Sequence, residues 1–479
     1  MTRLRAITEQ NRKWWTLGAM SFALFMIMLD NTVVNVALPS IQRDLGIGLS
    51  ELEWTVNAYA LTFAVLMLSG GKLADFFGRR RVFLIGLAIF TLSSLACGLA
   101  TTGGTLIGAR TLQGVGAAIM MPATLSIISA TFPPRQRGMA IGIWAGVSAM
   151  ALAIGPLIGG LITEHIDWSW IFFLNVPIGV LGIAVSALVI EESRDTSADQ
   201  RLDIPGLLAS AAALFALTFA LIEANAYGWG DPVILGLFAL SAVAFAAFVW
   251  LELHQRSPML DLSLFRSSTF AGANVVALLV TLAMFGVFFF MSIYMQNVLG
   301  YSATKTGAAF LPMTVLIILI APAAGRFSDR IGSRWLMTAG MTCLTVGLVI
   351  FSRLGLDSGF WDIAPGLVLG GLGMGLVMTP LTAAALGSVP VAKSGVGSGV
   401  LNTFRQVGGA LGIAVMGAIV ASYLDFDAAG RPDPTAFIQG FQRALEVSAA
   451  FALLGAVIAA STIRKHRHLD AGDLAEAAA

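Results

Sequence analysis

The sequence predicts an all-α integral membrane protein with two six-helix bundles plus two extra helices, fourteen transmembrane spans in all. Three observations predict it. Of 479 residues, 57% are hydrophobic and only 11% charged, against about 25% charged in soluble domains. Apolar runs of about 20 residues, each able to cross about 30 Å of hydrocarbon, follow one another along the chain. A polar signature between two such runs occurs twice. Gly71-Lys72-Leu73-Ala74-Asp75-Phe76-Phe77-Gly78-Arg79-Arg80-Arg81 returns as Gly325-Arg326-Phe327-Ser328-Asp329-Arg330-Ile331-Gly332-Ser333-Arg334, with two glycines, an acid and a basic cluster at the same spacing.

The first span, 14–37, carries Asp30. It is too long for a signal peptide, has no small-residue cleavage site and leads straight into further spans. The second, 54–71, ends at the signature, which reads as a short loop joining two helices packed side by side. The third, 82–100, contains Cys97, and the fourth, 104–127, carries Arg110. The fifth, 138–160, is marked by Gly142/Gly146, by Gly155/Gly159 and by Pro156, and the sixth is 170–190. Spans seven and eight, 204–224 and 232–252, end near Glu223 and Glu252, which read as interfacial. Spans 269–294, 306–325, 335–353 (with Cys343) and 363–386 (with Gly371/Gly375) follow. The last two are 396–422, with Gly399, Arg405 and Gly408/Gly412, and 443–463. Small residues one turn apart let helix backbones approach closely. Trp14, Trp15, Trp54, Trp168 and Trp170 stand at span ends, where interfacial anchors belong. Both cysteines fall inside apolar runs, so no disulfide framework is expected.

An even number of spans puts both termini on one side. With the termini inside, the inner segments hold about 21 of the 28 lysines and arginines, and the outer loops about four: Arg43, Lys305, Arg431 and Arg443. Positive charge concentrates on the cytoplasmic side. Both termini and both signature loops are therefore expected in the cytoplasm of a cell (inner) membrane protein.

The two signatures lie 254 residues apart. At a similar offset Gly155-Pro156-Leu157-Ile158-Gly159-Gly160 lines up with Gly408-Gly409-Ala410-Leu411-Gly412, and Met120–Thr124 with Val377–Leu381. Spans one to six thus resemble spans nine to fourteen in the same orientation, the mark of a transporter built from two repeated halves. The division is 1–190 for the N-terminal bundle, 191–268 for a linker with two extra helices, 269–463 for the C-terminal bundle and 464–479 for a cytoplasmic tail. Spans seven and eight have no counterpart in the repeat. Glu191–Arg201 reads as an exposed linker.

Charges inside spans carry the functional signal, because each costs about 2.5–3.5 kcal/mol at a helix centre. Asp30 lies about 17 residues past Lys13, hence about 25 Å from the cytoplasmic side. Arg110 enters from the opposite side and sits about 10 Å deep. The two reach a similar depth, as an ion pair or as a proton-exchanging carboxylate tuned by an arginine. Arg110, Gln113, Gly114 and Ala117 share one helical face, suited to a cavity wall. Asn402, Arg405 and Gln406 share another near mid-membrane, and Asn31 and Asn35 add polar groups to the first span. Gly155, Pro156, Gly159 and Gly160 read as a hinge or a sliding surface, since proline removes a backbone donor and glycines surround it. Gly71, Asp75, Gly78, Arg79 and Arg80 form a gating loop, a latch between the halves.

These residues resemble a known family. The chain looks like a fourteen-helix drug:proton antiporter of the major facilitator superfamily, over essentially its whole length. Gly71–Arg81 matches the superfamily's loop signature. Leu106-Ile107-Gly108-Ala109-Arg110-Thr111-Leu112-Gln113-Gly114-Val115-Gly116 matches the arginine signature linked to proton coupling. Gly155–Gly160 matches the antiporter signature of span five, while Leu29–Pro39 and Trp168–Pro177 are similar to sequences typical of the fourteen-helix branch. The resemblance implies the major facilitator fold and a proton-coupled exporter of drugs or antibiotics working by alternating access, with Asp30 and Arg110 coupling protons. Members that export dications carry an acid in span ten, and Lys305–Gly325 holds none. The same fold also accommodates a proton-coupled symporter or facilitator of a small metabolite.

No Gly-Lys-Ser or Gly-Lys-Thr phosphate loop is present, which argues against an ATP-driven pump. The four histidines lie outside the spans and no metal-ligand cluster stands out, so no enzyme, cofactor or metal is expected. A net charge of +1 gives no reason to expect nucleic acid. The expected partners are a drug-like small molecule, protons and the lipid bilayer, and a monomer is compatible with this architecture.

Overall fold

In hydrocarbon a backbone amide finds no water, so a spanning segment satisfies its own hydrogen bonds by staying helical. The computed structural model describes residues 9–194, 203–255, 258–389, 394–424 and 433–464. Parts of the predicted linker (195–202) and tail (465–479) lie outside the described residues. So do Arg3, Arg5, Arg201, Arg256, Lys393, Arg431, Lys465 and Arg467 of the charge count.

The first four spans become α1 (Glu9–Leu45), α2 (Leu49–Phe77), α3 (Arg79–Gly98) and α4 (Gly103–Thr131). Next come α5 (Pro134–His165) and a sixth span broken into α6 (Trp170–Phe173) and α7 (Asn175–Val189). The inserted pair is α8 (Ile204–Tyr227) and α9 (Pro232–His254). The second half begins with α10 (Ser268–Ile293), which ends in a π-helical turn, and a tenth span broken into α11 (Ala303–Ala309) and α12 (Leu311–Ile331). It closes with α13 (Ser333–Phe351), α14 (Phe360–Gly387), α15 (Ser394–Tyr423) and α16 (Pro434–Thr462). Among the described residues, 13 helical segments are long and apolar enough to cross a membrane. The 32-residue α5 is the fourteenth long helix. The chain is a multi-pass membrane protein.

Most helices outrun the hydropathy that predicts them, because polar end residues continue the helix and cap it. The side chains of Thr102, Asp203, Asp231, Ser302 and Asp433 each accept a backbone N–H from the first turn that follows, the usual role of such residues at helix starts.

The expected loop over 71–81 is corrected. α2 continues to Phe77, and the turn shrinks to Gly78 at φ +108°. Gly332 turns α12 into α13 at φ +88°. Only glycine takes such angles without strain, which explains why the repeat keeps glycine there. The basic cluster then starts α3 and is fastened within its own half. The Glu192 carboxylate accepts the backbone N–H groups of Arg80 at 3.0 Å and Arg81 at 3.2 Å, where a helix start favours negative charge. Asp75 accepts from Arg79 at 2.8 Å. Glu191 pairs with Arg12, so the predicted linker is anchored at its beginning.

The repeat reappears as packing. α1 lies on α5 as α10 lies on α15, α2 and α3 on α4 as α12 and α13 on α14, and α3 on α7 as α13 on α16. The close approaches use the repeated glycines. Gly155 and Gly159 sit against Thr32 and Val33 of α1, while Gly408 and Gly412 sit against Leu278 and Leu282 of α10. α5 continues past Pro156 as one helix.

Two seams join the halves. In one, α5 meets α11, with Gly160 on Ala303 and Gly307 on Pro156. Glu164 accepts from the Thr304 N–H at 2.7 Å. These contacts lie toward the end of α5 remote from the chain termini. Nearer the termini, Gly142 and Gly146 meet nothing within 4 Å. In the other seam α2 lies along α15, and α8 packs against both. The α5–α11 seam thus clamps the end away from the termini, while the α2–α15 seam runs on to Gly399 against Leu68 nearer the termini.

Substituting Gly78 tests the turn. Gly78→Ala forces a side chain into a glycine-only angle and against Glu192, at a cost of about 1–3 kcal/mol. Gly71→Ala meets only Pro122 at 3.5 Å. Thermal unfolding in detergent should show a lower midpoint for the first variant and an unchanged one for the second.

Candidate functional site

Asp30 and Arg110 come from opposite ends of α1 and α4 and meet inside the first bundle. The Arg110 Nη1 donates to Asp30 Oδ2 at 2.5 Å, and both residues are 1% exposed. Gln113, one turn along α4, donates from Nε2 to Asp30 Oδ1 at 2.9 Å and accepts from Arg110 at 2.6 Å. The same Nε2 also reaches Ser94 of α3 at 2.7 Å. Asn175, the first residue of α7, donates to Ser94 at 3.0 Å and lies 3.4 Å from Asp30 Oδ1. The Arg110 Nε donates to the Thr55 carbonyl of α2 at 3.2 Å. Its guanidinium carbon stands 4.2 Å above the centre of the Tyr59 ring, close enough for a cation–π contact.

One carboxylate thus gathers groups from α1, α2, α3, α4 and α7. A buried charge persists only when paired and hydrogen-bonded, and here each Asp30 oxygen has donors. A proton arriving at Asp30 would compete directly with Arg110 and Gln113 for the same lone pairs. This is the chemistry available at the site: one acid whose protonation would rearrange contacts among five helices.

Gln113 does not line open space; it is fully buried in the network. Asn35 is also buried, and its Nδ2 donates to the Asn31 carbonyl at 3.1 Å. Asn31, Asn402, Arg405 and Gln406 are half-buried. On α15 the Arg405 Nη2 donates to Thr382 Oγ1 of α14 at 2.8 Å and lies 3.5 Å from the Met378 carbonyl. Its Nε is buried without a partner. Among the described residues the ion pairs include no carboxylate on Arg405. Gly155, Pro156, Gly159 and Gly160 lie where α5 touches α1 and α11. Gly71, Asp75, Gly78, Arg79 and Arg80 sit at the α2–α3 junction, and Asp75 is engaged by Arg79.

Sequence reasoning missed Ser94, Asn175 and Tyr59, and also Thr382. It placed Glu53 outside the second span, whereas that carboxyl is buried in α2. Two glutamates read as interfacial are engaged instead. Glu223 accepts from Ser50 at 2.6 Å and Trp54 at 3.1 Å, and Glu252 is buried and accepts the Leu260 N–H at 2.8 Å. Trp54 and Trp168 are likewise packed, Trp168 donating to Asp44 at 2.8 Å. Trp14 and Trp15 are exposed as anchors should be.

Known proteins resemble this chain in sequence and in fold. The chain is 37% identical over 413 residues to the tetracenomycin C resistance and export protein of Streptomyces glaucescens, covering 86% of this chain and 77% of that one. It is 37% identical over 461 residues to the puromycin resistance protein pur8 of Streptomyces alboniger, covering 94% and 91%. The multidrug resistance protein Stp of Mycobacterium tuberculosis (strain CDC 1551 / Oshkosh) is 38% identical over 85% of this chain and 76% of its own. The fold matches a bacterial homolog of the human lysosomal transporter Spinster, in an inward-facing and unoccupied conformation. The TM-score is 0.67 at 16% identity, with 95% of this chain and 98% of that one covered. The model of the Major Facilitator Superfamily matches residues 20–413. With the repeated bundles, the glycine-turned signatures and the buried arginine, this chain belongs to the major facilitator superfamily.

Proposed function

We propose that this protein is a proton-coupled exporter of drug-like molecules, working by alternating access in the cell membrane with both termini in the cytoplasm. The observation that carries the reading is the buried Asp30–Arg110–Gln113 network. An acid held at the junction of five helices links a proton to helix packing, as an antiporter requires. Relatives named for resistance and export support the substrate class. The excess of basic residues on the termini side supports the orientation. In that frame the clamped end of the molecule is the outer one, and the conformation is inward-facing.

Asp30 is the proton-responsive carboxylate. Asp30→Asn should abolish drug-driven proton release from purified protein in detergent while the protein still inserts and binds drug. Wild-type proton release in that variant would remove Asp30 from the role.

Asp75 serves as a latch toward the start of α13 when the cytoplasmic side closes, where a helix N-terminus favours its charge. In the present conformation it is held by Arg79 instead. Asp75→Asn should therefore shift the population toward the inward-open state. Cysteine accessibility on both faces measures this, and unchanged labelling on both would count against the latch.

Arg405, Asn402 and Gln406 contribute to the substrate cavity, facing Asn31 and Asn35 across it. The charge of Arg405 has only neutral partners in Thr382, Asn402 and a carbonyl, which leaves it free to select ligand charge. Arg405→Ala should weaken export of anionic and neutral polar drugs by about tenfold, the loss of one modest charge-assisted contact, and spare lipophilic monocations. Resistance profiles at matched membrane levels, with Arg405→Lys for comparison, decide it. Equal loss across all substrate charges would assign the residue to packing.

A further inference from the structure

Glu53 lies one turn inside the outer end of α2 and is 2% exposed. Its carboxyl rests directly on Gly417 of α15, so close that a Cβ there would collide with both oxygens. Its Oε2 is buried with no hydrogen-bond partner. One turn along the helix, Asn57 is fully buried, and neither its Oδ1 nor its Nδ2 has a partner.

Among the described residues the surroundings offer no countercharge. α8 presents Glu223, itself an acid, already holding Ser50 and Trp54. α4 presents Arg110, which is committed to Asp30 of α1, to Gln113 and to the Thr55 carbonyl. On α1, Arg43 turns to Pro39 and Ser40. α15 carries Arg405 twelve residues away, about 18 Å along the helix, and Tyr423 near its end. α3 presents only Cys97, and on α2 itself Glu51 is exposed and holds the Gly48 N–H at 3.3 Å. An ionised carboxylate does not survive burial of this kind; the group neutralises instead.

The contact matters because of where it is. It closes the outer end of the α2–α15 seam, and α8 covers it from the side, tied to α15 by Asn225 donating to the Ala418 carbonyl at 2.7 Å. On the alternating-access reading above, this end must part when the molecule faces outward. Water then reaches Glu53 from the outside only.

We propose that Glu53 is a proton-binding site in the outer gate: α2 closes on α15 only over the neutral acid, so external protons favour closure. The proton binds and leaves on the outer side. Its function is to tie the conformational equilibrium to external pH, separately from the proton exchanged at Asp30. The fit at Gly417 makes the gate selective for a carboxyl without a counterion, since there is no room for a cation between the two.

The test measures the outer gap in the full chain in lipid nanodiscs by electron–electron distance spectroscopy. Spin labels go on Gly48→Cys and Ser422→Cys, both exposed, with Cys97→Ser and Cys343→Ser, in an Asp30→Asn/Arg110→Gln background that removes the other titrating acid together with the arginine it would release. The ratio of open to closed distances should rise with pH, approaching tenfold per unit for a single linked proton. Glu53→Gln should remain closed at every pH. Gly417→Ala, whose methyl group displaces the flexible end of Glu53 from its seat, should raise the open fraction relative to the parent. A Glu53→Gln variant that follows the parent's pH dependence overturns the proposal, as does a parent whose gap ignores pH. If Glu53→Gln fails to fold, Glu53→Met takes its place as a neutral side chain of similar length: a gap that follows the parent's pH dependence overturns the proposal. The readout uses no drug and no gradient. Loss of drug–proton exchange in the unaltered chain would therefore sink the exporter reading and leave this result standing, and a flat gap with intact exchange would sink only the gate.

Discussion

The structure depends on the cost of charge in hydrocarbon. A lone aspartate or arginine at a helix centre costs about 2.5–3.5 kcal/mol on insertion scales. Removing one partner from a buried pair typically costs about 3–5 kcal/mol. Asp30 and Arg110 therefore define each other's positions, and with them the rotation of α1 and α4 about their axes. Gln113, Ser94 and Asn175 follow, because the second carboxylate oxygen also needs donors. The orientation of four helices is thus set by one carboxyl group, in a medium where apolar side chains gain nothing by choosing one another over lipid.

Helices held by so few polar contacts need close backbone packing to stay in place, and the repeated glycines supply it. Gly155 and Gly159 bring α5 onto α1, and Gly408 and Gly412 bring α15 onto α10. Similar small surfaces continue across the seams at Gly160, Gly307 and Gly417. A contact made of backbone and small side chains has no interlocking knobs to extract when it separates. On the alternating-access reading, the seam contacts at Gly160, Gly307 and Gly417 would let the halves part, while the pairs within each half keep its helices together.

The sequence revealed most of the architecture, since hydropathy, charge asymmetry and the repeat all follow from the bilayer itself. The depth argument brought Asp30 and Arg110 together because helical rise converts residue count to distance. It could not reveal Ser94 or Asn175. Neutral polar residues are inexpensive in a span, so only the rotation of α3 and α7 in the folded protein shows which way they point. Glu53 was missed for another reason. Hydropathy ended the second span at the first polar residues, whereas the helix continues to Leu49 and α15 and α8 cover it. The loop over 71–81 was misjudged in the same way: polar composition indicates where a span meets water, not where its helix stops.

The inserted pair α8–α9 then acquires a physical role. It covers one seam and leaves the other bare. α9 is apolar on nearly every face, with Leu240, Val243, Phe245 and Leu253 half-exposed or more, as suits a helix against lipid. α8 sits inside it and touches both halves: Glu223 reaches Ser50 and Trp54 of α2, and Asn225 reaches α15. The bare seam between α5 and α11 carries its acid, Glu164, at the exposed tip, bonded to a backbone amide. The covered seam carries Glu53 below the surface. Without α8, whose Glu223 bonds Ser50 and Trp54 on either side of Glu53 in the chain, that carboxyl would lose cover against lipid, where a polar group has neither water nor protein to satisfy it. The extra helices permit a titratable gate at one seam, and the bare seam remains free to slide on its glycines.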